Sequence, residues 1–134
     1  MSKLDKFLNE SSLSVEAKQL IQEAWNEEKQ AVAAEMREEM KNRYKEDLIY
    51  TNIGPVLIAI NPFKTMSALY TEARIREYRG KKYFEMPPHP YSLIDDAYTS
   101  MITYHENQCI IICGESGSGK TETAKYMLGF IDKV

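Results

Sequence analysis

The eight residues Gly114-Glu115-Ser116-Gly117-Ser118-Gly119-Lys120-Thr121 constrain this chain more than any other segment. They follow an unbroken apolar run, Cys109 to Cys113, and precede an apolar stripe at helical spacing formed by Met127, Phe130, Ile131 and Val134. A short β-branched run of this kind reads as a buried strand. Strand, glycine-rich turn and helix in direct succession are the building unit of an α/β fold, in which the strand lies in a parallel sheet buried on both faces. The expected architecture is therefore α/β, with an incomplete, mostly parallel sheet and flanking helices. A long helix is expected ahead of it.

The spacing of the eight residues matches G-x-x-x-x-G-K-[ST], the phosphate-binding loop of nucleoside triphosphatases. The chemistry needs these residue types. Gly114, Gly117 and Gly119 let backbone N–H groups turn inward as a nest for phosphate oxygens. Glu115, Ser116 and Ser118 fill the positions between them, and a carboxylate at 115 must point away from an anion. Lys120 would reach the β- and γ-phosphates, and the Thr121 hydroxyl would ligate Mg²⁺. The helix that follows offers its positive end to the same anion.

The rest of the 134 residues sets boundaries. With 43% hydrophobic and 28% charged residues the chain reads as a globular protein, not a disordered one. Its longest apolar runs, Val56 to Ile60 and Cys109 to Cys113, are far short of the roughly 20 residues of a membrane span. The opening MSKLDKFLNESS lacks the apolar region of a secretion signal. A net charge of -3 argues against a general nucleic-acid binder. Cys109 and Cys113 would lie about 13 Å apart along a strand, too far for a disulfide, and read as small buried side chains. Neither His89 nor His105 has a partner at zinc-ligand spacing.

Along the chain, residues 1–13 are polar and expected to fray. Ser14 is placed to cap a long helix, with Leu20, Ile21, Ala24, Trp25, Val32, Met36, Met40 and Tyr44 as its apolar stripe. Lys and Arg number 8 against 11 Asp and Glu over residues 1–50, and 9 against 9 over residues 51–134, so the acidity lies in this front end. That is the pattern of a solvated helix face. LIYTNIGPVLIAINPF then predicts two short strands around Gly54-Pro55, with Val56 to Ile60 the buried one and Asn61-Pro62 its end. Thr71 to Tyr78 predicts a short helix capped by Thr71. Residues 81–90, with three prolines, predict irregular chain. Leu93, Ile94, Ala97, Tyr98, Met101 and Ile102 predict a further helix, in which Asp95 and Asp96 lie.

Three blocks carry a family resemblance. HENQCIIICGESGSGKTETAKY (105–126) resembles the phosphate-loop region of myosin motor domains. RYKEDLIYTNIGPVLIAINPFK (43–64) is similar to the segment that opens the myosin catalytic core. YRGKKYFEMPPHPYSLIDDAYTSM (78–101) is similar to the family's G-K-x-x-x-x-x-P-P-H segment and following helix. The order is that of the family, and the resemblance is to the short unconventional forms, since an SH3-like barrel does not fit before Arg43. It divides the chain into a polar N-terminus and charged helix (1–42) and the N-terminal part of a motor-like domain (43–134). Residues 1 to about 33 depart from the family. A helical cap, or partner binding that includes self-association along the Trp25, Val32 and Met36 stripe, are the readings for that end.

The resemblance implies ATP and Mg²⁺ as ligands. It implies that Asn61 and Pro62 hold the adenine, that Tyr70 closes its pocket, and that Lys64 sits near the base. The Asn61–Tyr70 loop is one residue longer than the family's usual loop. Without the family, Asn61-Pro62 is a strand-ending turn and Tyr70 a half-buried packing residue. The resemblance further implies an actin-activated ATPase, with actin as partner and a cytoplasmic, cytoskeleton-associated location. Switch I, switch II and the actin-binding elements lie downstream in the family, and this sequence ends 13 residues after Thr121. Motor activity is therefore expected of a longer protein, and no residue here is assigned a catalytic role. With Met127, Phe130, Ile131 and Val134 expected to lack cover, the chain alone is expected to be marginally stable. A standalone ATP-binding module and a helix-mediated interaction protein are the alternatives. A small phosphotransferase kinase fits the loop but not the three blocks.

Overall fold

A computed structural model describes residues 3–134. They fall into two compact units, Met1–Asn42 and Arg43–Val134. The first holds helix α1 (Lys3–Glu10) and most of α2 (Val15–Lys45). Residues 3–10 are thus helical where fraying was expected, while residues 1 and 2 lie outside the described part. Ser14 caps α2 as expected, its Oγ accepting from the Ala17 N–H at 3.2 Å. No residue of α2 is buried, and Trp25 and Val32 of its apolar stripe are exposed. No helix among the described residues is long and apolar enough to cross a membrane.

The second unit begins in the last turn of α2. There Arg43 reaches forward, its Nε donating to Thr51 Oγ1 at 3.0 Å and its Nη2 to the Tyr50 carbonyl at 2.9 Å. These bonds hold the start of a hairpin formed by β1 (Tyr50–Ile53) and β2 (Val56–Ala59) around Gly54-Pro55. The strands pair antiparallel, Tyr50 opposite Ala59 and Ile53 opposite Val56. This is the whole sheet among the described residues, so the expected parallel arrangement is corrected to one antiparallel pair. Hairpin pairing is local and needs only its turn. A parallel ladder needs strands brought together from distant parts of a chain.

Two further expectations fail for the same reason. Residues 109–113 form no strand, Ile111 is 80% exposed, and Cys109 and Cys113 are both exposed rather than buried. Without a neighbour on either side an extended segment has no ladder to join. Val56 to Ile60 is likewise not the buried strand. The ends of β2, Val56 and Ala59, are exposed, and burial falls instead on Ile49 and Tyr50 at the start of β1.

The helices cohere better. A short 3₁₀ turn (Ser67–Tyr70) leads into α3 (Glu72–Tyr78), and Thr71 Oγ1 caps α3 by accepting from the Arg74 N–H at 3.3 Å. Helix α4 (Pro90–Tyr104) starts three residues earlier than the apolar pattern suggested, because Pro90 suits the first helical position and His89 caps it. Helix α5 (Lys120–Ile131) lies against α4, and Phe130, 0% exposed, joins Ile75, Tyr78 and Tyr91 in the core. The stripe expected to lie bare is thus covered at Met127 and Phe130, with Val134 packed beside them. Asp95, also buried, accepts from the Gly80 N–H at 2.9 Å and ties α4 to the end of α3.

His89 gives this core a pH dependence. Its Nδ1 accepts the Tyr91 N–H at 3.1 Å, so the ring is neutral with its proton on Nε2, which donates to the Leu69 carbonyl at 3.1 Å. Burial holds its pKa down at about 4, against 6.5 for a free imidazole. The unfolded chain therefore binds more protons in this range, and stability is full above pH 6.5 and falls as the pH drops toward 4. The span corresponds to about 3 kcal/mol. Urea unfolding between pH 7 and pH 5 is expected to show this decline, and His89→Asn, which can cap without titrating, is expected to flatten it.

Candidate functional site

The turn from Gly114 to Gly119 takes its shape from its glycines. Gly117 and Gly119 lie at φ 78° and 94°, a region that costs any residue with a Cβ atom. At Gly114 a Cβ would stand 2.5 Å from Ser118 Oγ, so that hydroxyl would have to swing aside. Ser118 closes the turn, its N–H donating to the Glu115 carbonyl at 3.2 Å. Helix α5 begins at once, its N-cap Gly119 providing no side chain, so the first-turn N–H groups have no side-chain acceptor at the cap. Lys120 folds back over the loop, Nζ donating to the carbonyls of Gly114 and Glu115 at 2.6 Å each. An ammonium has three N–H donors, so one remains beyond these two bonds. The side chains of Glu115, Ser116 and Thr121 are on the exposed side of the loop.

The second predicted group lies beside this loop. Asn61 Nδ2 donates to the Gly117 carbonyl at 2.7 Å, while its Oδ1 accepts the Phe63 N–H at 2.9 Å. One side chain thus fixes the turn after β2 and couples it to the glycine-rich turn, 56 residues on. Asn61, Pro62, Lys64 and Tyr70 line a cleft of about 230 Å³ that ends on Ser118 and Gly119. Lys64 is held at its rim by an ion pair with Asp47 at 2.5 Å. Six of the predicted residues therefore meet in one cleft, while Gly114 and Lys120 face an adjoining apolar groove along β2 and residues 110–113.

Tyr70 is the residue the structure changes most. Its hydroxyl shares a 2.6 Å hydrogen bond with that of Tyr50, and its ring stacks on Tyr126 with centroids 3.5 Å apart and planes 3° from parallel. Burial pushes the Tyr50 phenol well above its usual range, and the Tyr70 phenol is raised by the same cause. Both stay protonated at any ordinary pH. The Tyr126 wall was not legible from motifs. The available signal was its helical spacing, since Glu122 and Thr123 stand four and three residues before Tyr126 and are its neighbours on the helix surface.

The chain belongs to the myosin head (motor domain) family, whose family model matches residues 23–134, so that residues 23–33 of α2, expected to depart from the family, lie within it. It is 50% identical over 99 residues to myosin IC heavy chain of Acanthamoeba castellanii, covering 74% of this chain and 8% of that protein. It is 52% identical over 99 residues to myosin IA heavy chain of Dictyostelium discoideum, covering 74% and 10%. With unconventional myosin IC of Drosophila melanogaster the identity is 50% over 92 residues, covering 69% and 9%. The chain therefore spans about a tenth or less of the length of the curated relatives it matches.

Proposed function

We propose that residues 43–134 bind ATP·Mg²⁺ and form the nucleotide-binding beginning of an actin-based myosin motor, whose ATPase and motor activities belong to the longer protein. The observation that carries this reading is the 2.7 Å bond from Asn61 to the Gly117 carbonyl. It joins the loop read as the base side to the loop read as the phosphate side, at two ends of one cleft. The residues present fit the ligand. The glycine-rich turn supplies backbone donors and a helix N-terminus, Lys120 supplies a cation, and Thr121 a hydroxyl on the open side. Mg²⁺, when bound, would neutralise charge on the β- and γ-oxygens. Lys120 has one N–H beyond its bonds to the Gly114 and Glu115 carbonyls, and a phosphate would give that ammonium a charged acceptor beside neutral ones. Actin as a partner and a cytoskeletal location follow from the family and belong to the whole motor.

Calorimetric titration with ATP, with and without Mg²⁺, tests the reading. The chain is expected to bind ATP more tightly with Mg²⁺ present. Thr121→Val is expected to remove about tenfold of the Mg²⁺-dependent gain while leaving Mg²⁺-free binding unchanged. No binding at millimolar ATP would sink the reading and favour a helix-mediated interaction role, which the exposed Trp25 and Val32 on α2 support.

A further inference from the structure

We propose that Tyr126 makes this cleft prefer a nucleoside triphosphate over bare phosphates, by forming with Tyr70 a two-ring wall against which the base lies. The inference rests on the nucleotide reading above and adds a residue to it. The two rings touch along their faces, with centroids at 3.5 Å. No third ring fits between them, so a base must meet the pair from the cleft, which both rings line.

Tyr70 is fixed from elsewhere. The Tyr50 hydroxyl holds its phenol at 2.6 Å, and His89 and Tyr91 stand 5.7 Å and 6.5 Å from its ring centroid at tilted and edge-on angles. Tyr126 comes from the other direction, on α5, with Glu122 and Thr123 on the same cleft-lining face. The helix that opens with Lys120 and Thr121 therefore carries the aromatic wall as well. Six residues of α-helix set the two ends about 9 Å apart along its axis. This gives the ligand a phosphate end and a base end on one rigid element, with the Pro62 ring as a further apolar lining of the same cleft. Each ring already gives one face to the other, so a base meets an outer face or the edges of the pair, and a flat heteroaromatic base is the chemical class that such a wall receives.

The test compares Mg·ATP with Mg·tripolyphosphate, which carries the phosphates and no base, on the 134-residue chain. Tyr126→Leu is expected to weaken Mg·ATP by about 3- to 10-fold and to leave tripolyphosphate within about twofold. Tyr126→Phe, which keeps the ring, is expected to retain both affinities. Partial unfolding would scale both ligands by one factor, so the ratio of the two affinities isolates the base. An unchanged ratio in Tyr126→Leu, whether both affinities fall together or neither moves, overturns the proposal while the nucleotide reading stands. Failure of the unaltered chain to bind either ligand overturns both.

Discussion

Lys120→Ala is expected to weaken ATP·Mg²⁺ binding by about 10- to 100-fold, the worth of one hydrogen bond to a charged group in a site of this kind. The fold should hardly notice. The two carbonyls that Lys120 occupies belong to Gly114 and Glu115, both exposed, and water replaces the ammonium there. A structural lysine would behave differently, since its loss would loosen the loop and lower the melting temperature. Lys120→Arg is expected not to restore binding, because a planar guanidinium cannot follow the path of a compact ammonium into the same turn. Calorimetric titration alongside a thermal melt separates the cases. Equal ATP affinity for the alanine variant and the unaltered chain would remove Lys120 from the site.

The second large effect is expected in the core. Phe130→Ala should cost about 3–5 kcal/mol, the range for removing a fully buried aromatic ring. The ring has 0% exposure and stands 5.0 Å from the Tyr91 centroid, closed in by Ile75 and Tyr78. Domains of this size hold only about 5–15 kcal/mol in all. The melting temperature should fall by at least about 12 °C, or the cooperative transition should disappear. Leu128, two residues earlier on α5, is 69% exposed and provides the control. Leu128→Ala should change stability by no more than about 0.5 kcal/mol. Similar losses for the two variants, read by circular dichroism melts, would contradict the packing described here.

Much of the local structure was legible from residue types. Ser14 and Thr71 cap the helices that follow them because a hydroxyl before a helical stripe satisfies free N–H groups of the first turn. Gly54-Pro55 turns a hairpin because its neighbours are β-branched and its ends are a few residues apart. The three blocks that resemble myosin motors identified the family, and the family model confirms it over residues 23–134. The meeting of Asn61, Pro62, Lys64 and Tyr70 with Ser118 and Gly119 was implied by that resemblance and by nothing in their spacing.

What failed depended on distant contacts. Residues 109–113 have the composition of a buried strand, yet a strand exists only where another supplies its hydrogen bonds. Phe130 was expected bare because the residues that cover it, Ile75, Tyr78 and Tyr91, lie 39 to 55 positions away. Helix α4 starts ahead of its apolar pattern, and the His89 that caps it is held in place by the Leu69 carbonyl 20 residues upstream. Tyr126 carried no motif, and only the packing of α5 against the 3₁₀ turn sets it face to face with Tyr70.

The sequence by itself determined the glycine-rich loop, the helix caps, the hairpin turn and the family. Each of these is written in residues a few positions apart, where backbone sterics and single hydrogen bonds decide. The tertiary structure alone decided which apolar faces are covered, which extended segment pairs, and which aromatic ring stands against Tyr70. Those outcomes are set by burial and by hydrogen-bond partners brought together across tens of residues. Their free energy belongs to no local pattern.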